Sequence, residues 1–116
     1  MKYNYYPTPR FLKKLHKISR RDPSGYTRIL DVVRRLLETP ADSDGKMVGL
    51  YHGRLKKYVG RRDYRIIYHW CLECRKARQH LENPCEACGL IENNSVVFFD
   101  LYHKNELNQL RCHSAT

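Results

Sequence analysis

The sequence predicts an α+β fold in which a strand precedes two helices that pack on an antiparallel sheet. Apolar residues recur at helical spacing in the first third of the chain, and alternating aromatic and β-branched residues follow. At 116 residues the chain is long enough for one domain, residues 1–116, with a modest core. No apolar run is long enough to span a membrane, so a soluble, cytoplasmic protein is expected.

The first strand, MKYNYY, ends at a proline, and two helices come next. Each helix has the same start signal, a capping side chain followed by proline at the first helical position: Thr8 with Pro9, and Asp22 with Pro23. The turn-rich segment 39–49 ends the second helix and predicts a loop. The two helices therefore form a helical hairpin.

Three strands complete the sheet. The segments LYHGRLKKYVG and YRIIYHW flank a GRRD turn, as antiparallel neighbours do, and SVVFFDLYH is the last strand. In the middle strand Tyr64, Tyr68 and Trp70 alternate with Arg65 and His69. Since side chains alternate across a strand, the aromatic face is expected to pack on the helices, and the cationic face is left available for function.

An insertion, residues 71–94, separates the last two strands and contains two Cys-x-x-Cys pairs. Two such pairs supply the tetrahedral shell that zinc prefers, and the predicted ligands are Cys71, Cys74, Cys85 and Cys88. The alternatives are two disulfides or a redox pair, but two adjacent Cys-x-x-Cys disulfides would be strained, and no secretory segment in the sequence indicates an oxidising compartment. Because four thiolates leave no open position for water, the predicted zinc hairpin is structural.

The chain is strongly basic, with 22 Lys and Arg residues against 12 Asp and Glu and a formal net charge of +10. This excess favours a polyanionic partner such as nucleic acid or the ribosome surface. A solubility role or an acidic protein partner would also account for the charge.

The helical pair, followed by GLYHGRLKKYVGRRDYRIIY and VVFFDLYHKNEL, resembles the RelE/ParE superfamily of bacterial and archaeal toxins. The likeness covers nearly the whole chain apart from the insertion, and DYRIIY at 63–68 is its most specific part. It implies a RelE-like fold and a toxin that is neutralised by an antitoxin encoded with it. The RelE branch cleaves mRNA in the ribosomal A site, whereas the ParE branch acts on DNA gyrase.

The resemblance also implies catalytic residues, carried over by position. Arg65 corresponds to the strand arginine at the scissile phosphate, and Lys57 to the lysine that acts as general base. Lys104 corresponds to the basic residue that assists the leaving group, and His103 precedes it. The tyrosine that stacks on a base in members of the family has no counterpart after Lys104, where the sequence reads NELNQL.

Several neighbouring basic residues complete the expected RNA site: Arg54, Lys56, Arg61 and Arg62. Lys56 and Arg54 also rival Lys57 as the base. A purely structural interpretation stays open, because Arg65 could pair with Asp63 or Asp100 and the lysines could form a solvated edge. The functional alternatives are a non-catalytic module that binds nucleic acid or the ribosome, and a ParE-type gyrase inhibitor.

Overall fold

The computed structural model describes residues 2–49, 51–78, 88–104 and 106, and it confirms an α+β fold. The elements are β1 (Asn4–Pro7), α1 (Pro9–Arg21), α2 (Pro23–Glu38), β2 (Gly45–Lys46), β3 (Leu55–Val59), β4 (Tyr64–Trp70), α3 (Cys71–Lys76), a 3-10 turn (Cys88–Leu90) and β5 (Ser95–His103). The strands form one sheet in the order β1-β5-β4-β3-β2. Within the described ranges, no helix has the length and apolar content needed to cross a bilayer.

Both long helices begin at the predicted caps. The Thr8 hydroxyl accepts the backbone N–H of Phe11 at 3.2 Å, and the Asp22 carboxylate accepts that of Gly25 at 3.1 Å. Asp22 also accepts the hydroxyl of Tyr64 at 2.8 Å. Each bond to a backbone N–H satisfies a helix donor that has no partner within its own helix. The bond from Tyr64 further ties the start of α2 to β4.

The first face of the sheet, which α1 and α2 cover, carries the main core. Phe11 of α1, Ile29 of α2 and Phe98 of β5 are fully buried in it. Tyr68 is buried with them and Trp70 packs against the cluster, which confirms the predicted aromatic face of β4. This packing fixes which face of the sheet remains for other functions.

Three features of the fold differ from the prediction. β1 runs parallel to β5, with Asn4 opposite Ser95, so the sheet is mixed rather than antiparallel. Two helices intervene before the next strand, and no hairpin therefore dictates the direction of β1. The predicted 39–49 loop contains the short strand β2. The insertion starts with α3 immediately after β4, and its predicted hairpin lies partly outside the described residues.

The second face of the sheet, opposite α1 and α2, is only partly open. Met47, Ile67 and Tyr102 form a small buried cluster there, with Tyr51 and Phe99 packed against it. The segment before β3 supplies Met47 and Tyr51 and so covers the middle of this face. The expectation that the face is free holds only near the β3–β4 turn.

Asp100, which is fully buried, anchors this covering segment. Its carboxylate accepts the Tyr51 hydroxyl at 2.6 Å and forms ion pairs with Arg10 at 2.7 Å and Lys14 at 2.9 Å. Burial acts to raise the pKa of Asp100, but hydrogen bonds from Tyr51 and Lys14 lower it below its ordinary value overall. Burial and the adjacent carboxylate raise the pKa of Tyr51 to about 12, so its hydroxyl remains a donor.

We expect Asp100→Asn to lower the free energy of unfolding by about 2–3 kcal/mol, because hydrogen bonds to a buried charge are lost. The pKa of Asp100 is lower in the folded state than in the unfolded state, where it is about 4. The stability that the Asp100 carboxylate contributes is therefore complete above a pH of about 4. It is lost as the pH falls through the folded-state pKa. Urea unfolding at pH 7 and at acid pH measures both effects. The control is Asp31→Asn, which removes an exposed ion pair within α2. Equal stability of the two variants at pH 7 would contradict the anchoring role of Asp100.

Candidate nucleic-acid interface

A row of cross-strand neighbours crosses the second face near the β3–β4 turn. Tyr58 of β3 lies opposite Arg65 of β4, which in turn lies opposite Tyr102 of β5. Lys56 precedes Tyr58 by two residues and therefore projects from the same face of β3. The strand register thus brings a lysine, an arginine and a tyrosine together beside the turn.

The guanidinium of Arg65 is held in place by a tyrosine hydroxyl and a methionine sulfur. Its Nη2 donates to the Tyr58 hydroxyl at 2.9 Å, and its Nη1 lies 3.9 Å from the sulfur of Met47. Its Nε is buried and has no hydrogen-bond partner among the described residues. Among the described residues, the side chain is therefore positioned by neutral groups.

Three cations surround the ring of Tyr58. The Arg62 and Arg65 guanidinium carbons lie 4.9 Å and 5.0 Å from the ring centroid, and the Lys56 ammonium lies 5.8 Å from it. Arg62 lies in the β3–β4 turn and has a φ of 66°, in the left-handed region. We call Lys56, Tyr58, Arg62 and Arg65 the Tyr58 cluster.

The Tyr58 cluster has no acidic counterpart in the part of the chain that the structure describes. No carboxylate among the described residues lies within ion-pair distance of Lys56, Arg62 or Arg65. Several other basic side chains are paired, for example Arg28, which lies 3.8 Å from the Asp63 carboxylate. Like charges gathered around one ring repel one another, and an incoming polyanion relieves that repulsion. The cluster is therefore suited to binding phosphate groups.

The structure does not bring Lys57 to this cluster. Lys57 lies opposite Ile66, so its side chain projects from the first face, and it forms ion pairs with Asp42 at 3.4 Å and Asp44 at 3.6 Å. Adjacent residues of a strand point to opposite faces, which separates Lys57 from Arg65. Of the two neighbouring lysines, Lys56 shares a face with Arg65, whereas the role of Lys57 as general base stays a prediction.

His103 and Lys104 also lie apart from Arg65. His103 is opposite Tyr64 in the register, and the two rings meet edge to face with centroids 5.3 Å apart on the first face. The Lys104 ammonium lies 3.6 Å from the Asp63 carboxylate. The predicted catalytic group of Lys57, Arg65, His103 and Lys104 is consequently not assembled at one place.

Of the remaining predicted RNA-binding residues, Arg61 is exposed and Arg54 is buried. Arg61 is exposed in the β3–β4 turn, beside Arg62, and is available to a ligand. Arg54 is only 5% exposed, and its guanidinium stacks 4.2 Å from the Phe99 ring centroid. Arg54 is therefore a buried side chain and not part of the exposed basic surface. The alternative pairing of Arg65 with Asp63 or Asp100 is absent, since both carboxylates are paired with other cations.

Three of the four predicted zinc ligands line one cavity. Cys71 and Cys74 are buried on α3, and Cys88 reaches the same cavity from the 3-10 turn. Cys85 lies outside the described residues. Thiols are the ligands that a soft metal such as zinc prefers, but among the described residues no group of three Cys, His, Asp or Glu side chains is placed to hold a metal ion. His69 also lines the cavity, and its Nδ1 accepts the Trp70 N–H at 3.0 Å.

The sequence interpretation missed Tyr58 and Met47 as neighbours of Arg65. The signal for Tyr58 is present in the sequence: a four-residue GRRD turn pairs Val59 with Tyr64 and hence Tyr58 with Arg65. Met47 reaches Arg65 through a loop whose course no local pattern indicates. Comparison of the chain with protein-family models and with curated proteins finds no match.

Proposed function

We propose that the chain is the toxin of a toxin–antitoxin pair, a ribosome-dependent endoribonuclease that binds mRNA through the Tyr58 cluster. One observation carries the proposal: three cations converge on one tyrosine ring with no carboxylate beside them among the described residues. Surface cations are usually dispersed or paired, and an uncompensated group of them is suited to a phosphate backbone. The likeness to RelE-type toxins supports the same surface.

Cleavage of RNA by its own 2'-hydroxyl sets the chemical requirements. The 2'-oxygen bonds to phosphorus as the bond from phosphorus to the 5'-oxygen breaks, and the proton passes from the first oxygen to the second. We assign to Arg65 the stabilisation of the negative charge that develops on the phosphate oxygens, because its guanidinium is fixed before the substrate arrives. Arginine does not release its proton in proteins, so Lys56 is the member of the cluster assigned to proton transfer.

The second candidate function is a module that binds RNA or the ribosome without cutting. It is favoured by the positions of His103, Lys57 and Lys104, which lie away from Arg65. Both functions use the same basic surface, and they differ in whether bound RNA is cleaved.

Inducible expression in bacteria, followed by primer extension on cellular mRNA, tests the proposal. We expect growth arrest with cuts inside translated regions, and we expect the cuts to disappear when initiation is blocked. RNA that co-purifies with the protein but stays intact would overturn cleavage and support the binding module. Arrest with DNA damage and intact mRNA would point to a gyrase inhibitor.

We also propose that an antitoxin covers the Tyr58 cluster and that one zinc ion is held by Cys71, Cys74, Cys85 and Cys88. The metal site is supported by the paired Cys-x-x-Cys spacing and by a cavity that Cys71, Cys74 and Cys88 all line. Bound there, zinc would hold the insertion together as a structural ion. Arg54, which lines the cysteine cavity, precedes Tyr58 by four residues, about 13 Å along an extended strand. The proposed metal site is thus separate from the proposed phosphate site.

A further inference from the structure

The hydroxyl of Tyr58 acts as a hydrogen-bond acceptor but, among the described residues, not as a donor. Its oxygen accepts Nη2 of Arg65 at 2.9 Å, so its own proton is directed away from that guanidinium. Tyr58 is half-buried on the part of the second face that stays open. The O–H group can therefore donate to a ligand that approaches the Tyr58 cluster.

Strand pairing and one carboxylate fix the position of this hydroxyl. Tyr58 lies opposite Arg65 in the register, and its backbone N–H donates to the Asp44 carboxylate at 2.8 Å. The Asp44 carboxylate also lies 3.6 Å from the ammonium of Lys57. Asp44 thus holds the backbone of β3, while Arg65 orients the hydroxyl. The two donors keep a fixed spacing before any ligand arrives.

The ligand that fits this pair of donors is a phosphate group. Lys56, Arg62 and Arg65 surround the ring and favour an anion. Since Nη2 of Arg65 and the Tyr58 hydroxyl oxygen are only 2.9 Å apart, the oxygens of one phosphate can accept from both. A phosphodiester accepts hydrogen bonds and donates none. It therefore matches a site whose cationic groups and hydroxyl proton are all donors.

We propose that the Tyr58 hydroxyl donates a hydrogen bond to the phosphate group that Arg65 binds. Tyr58 is then a direct ligand of the RNA backbone and not only a support for Arg65. This inference rests on the proposed RNA-binding site but does not require cleavage. Because contacts with phosphate carry no sequence information, the hydroxyl should contribute equally to the binding of different RNA sequences.

Equilibrium binding of RNA that cannot be cut tests the inference. Two single-stranded 2'-O-methyl oligonucleotides, one of adenosines and one of uridines, lack the attacking hydroxyl and stay intact during fluorescence anisotropy. Tyr58→Phe removes the hydroxyl and keeps the ring beside its cations. We expect this variant to bind both oligonucleotides about tenfold more weakly than the parent, since a hydrogen bond to a charged group is lost. The slope of log affinity against log salt should be that of the parent, because no cation is removed.

The same substitution in an Arg65→Ala background distinguishes a direct contact from a supporting one. If the hydroxyl contacts the phosphate, Tyr58→Phe should weaken binding in this background as well. If the hydroxyl only orients Arg65, the substitution should cause no further loss once Arg65 is gone, and that result would overturn the inference.

The control is Tyr6→Phe, which removes the hydroxyl of a tyrosine of β1 that is 39% exposed, and it should bind like the parent. Parent affinity in Tyr58→Phe, or a loss confined to one of the two oligonucleotides, would contradict a phosphate contact. A parent that binds neither oligonucleotide would do so too. A parent that binds both but leaves cellular mRNA uncut would contradict the proposed nuclease and leave this inference intact.

Discussion

Arg65→Ala is expected to reduce mRNA cleavage on translating ribosomes by about a hundredfold or more, which corresponds to several kcal/mol in the barrier. The guanidinium is fixed by Tyr58 and Met47 and is not neutralised by a carboxylate among the described residues, so its charge is available to the transition state. RNA affinity should fall less, because Lys56 and Arg62 remain around Tyr58. Single-turnover cleavage and equilibrium binding measure the two effects separately.

Two further variants test whether the charge of Arg65 alone or also its donor geometry is needed, and whether loss of any arginine lowers cleavage. Arg65→Lys keeps the charge but loses the fork of donors, so binding should persist while cleavage remains impaired. Arg34→Ala removes an exposed arginine on α2, away from the Tyr58 cluster, and should cleave like the parent. If folded Arg65→Ala also cleaves like the parent, Arg65 has no catalytic role.

Lys56→Ala and Lys57→Ala should behave differently although the two residues are adjacent. Lys56 projects from the face of Arg65, and its loss should slow cleavage by about tenfold or more and weaken RNA binding. Lys57 projects from the opposite face and pairs with Asp42 and Asp44, so Lys57→Ala should leave both activities near those of the parent. Its effect on stability should be about 1 kcal/mol or less, because both partners are accessible to solvent.

The salt dependence of RNA affinity is a second way to compare Lys56→Ala with Lys57→Ala. Removal of one cation that binds a phosphate should reduce the slope of log affinity against log salt by about 1, or somewhat less for single-stranded RNA. We expect a smaller slope for Lys56→Ala and the parent slope for Lys57→Ala. The reverse pattern, with cleavage abolished only in Lys57→Ala, would restore the family-based assignment and contradict the strand register as a guide to the site.

The two helices could be predicted from sequence because their signals are local. Thr8 and Asp22 cap where the sequence indicates, and the apolar spacing identifies the buried side of each helix. The parallel direction of β1 could not be predicted, since it depends on pairing with β5 at the far end of the chain. α3 was missed although Leu72, Glu73 and Arg75 are good helix formers, because the cysteine spacing favoured a hairpin loop.

The candidate site was predictable only in part. Alternation along β4 correctly separates Arg65 from the aromatic side chains that face the helices. The same rule, applied through the GRRD turn, places Lys56 and Tyr58 on the face of Arg65 and Lys57 on the opposite face. The position of Met47 beside Arg65 and the burial of Arg54 depend on tertiary packing, which no spacing of residues in the sequence specifies.

Crosslinking of the protein to mRNA on translating ribosomes shows most directly whether the Tyr58 cluster is the RNA-binding surface. Ultraviolet irradiation followed by mass spectrometry identifies the side chains that touch the bases. We predict adducts on the second face, at Tyr58 or in the neighbouring turn, and we predict that they weaken in Lys56→Ala. Adducts confined to the exposed side of the two long helices, for example at Lys13 or Lys17, would contradict this placement of the RNA.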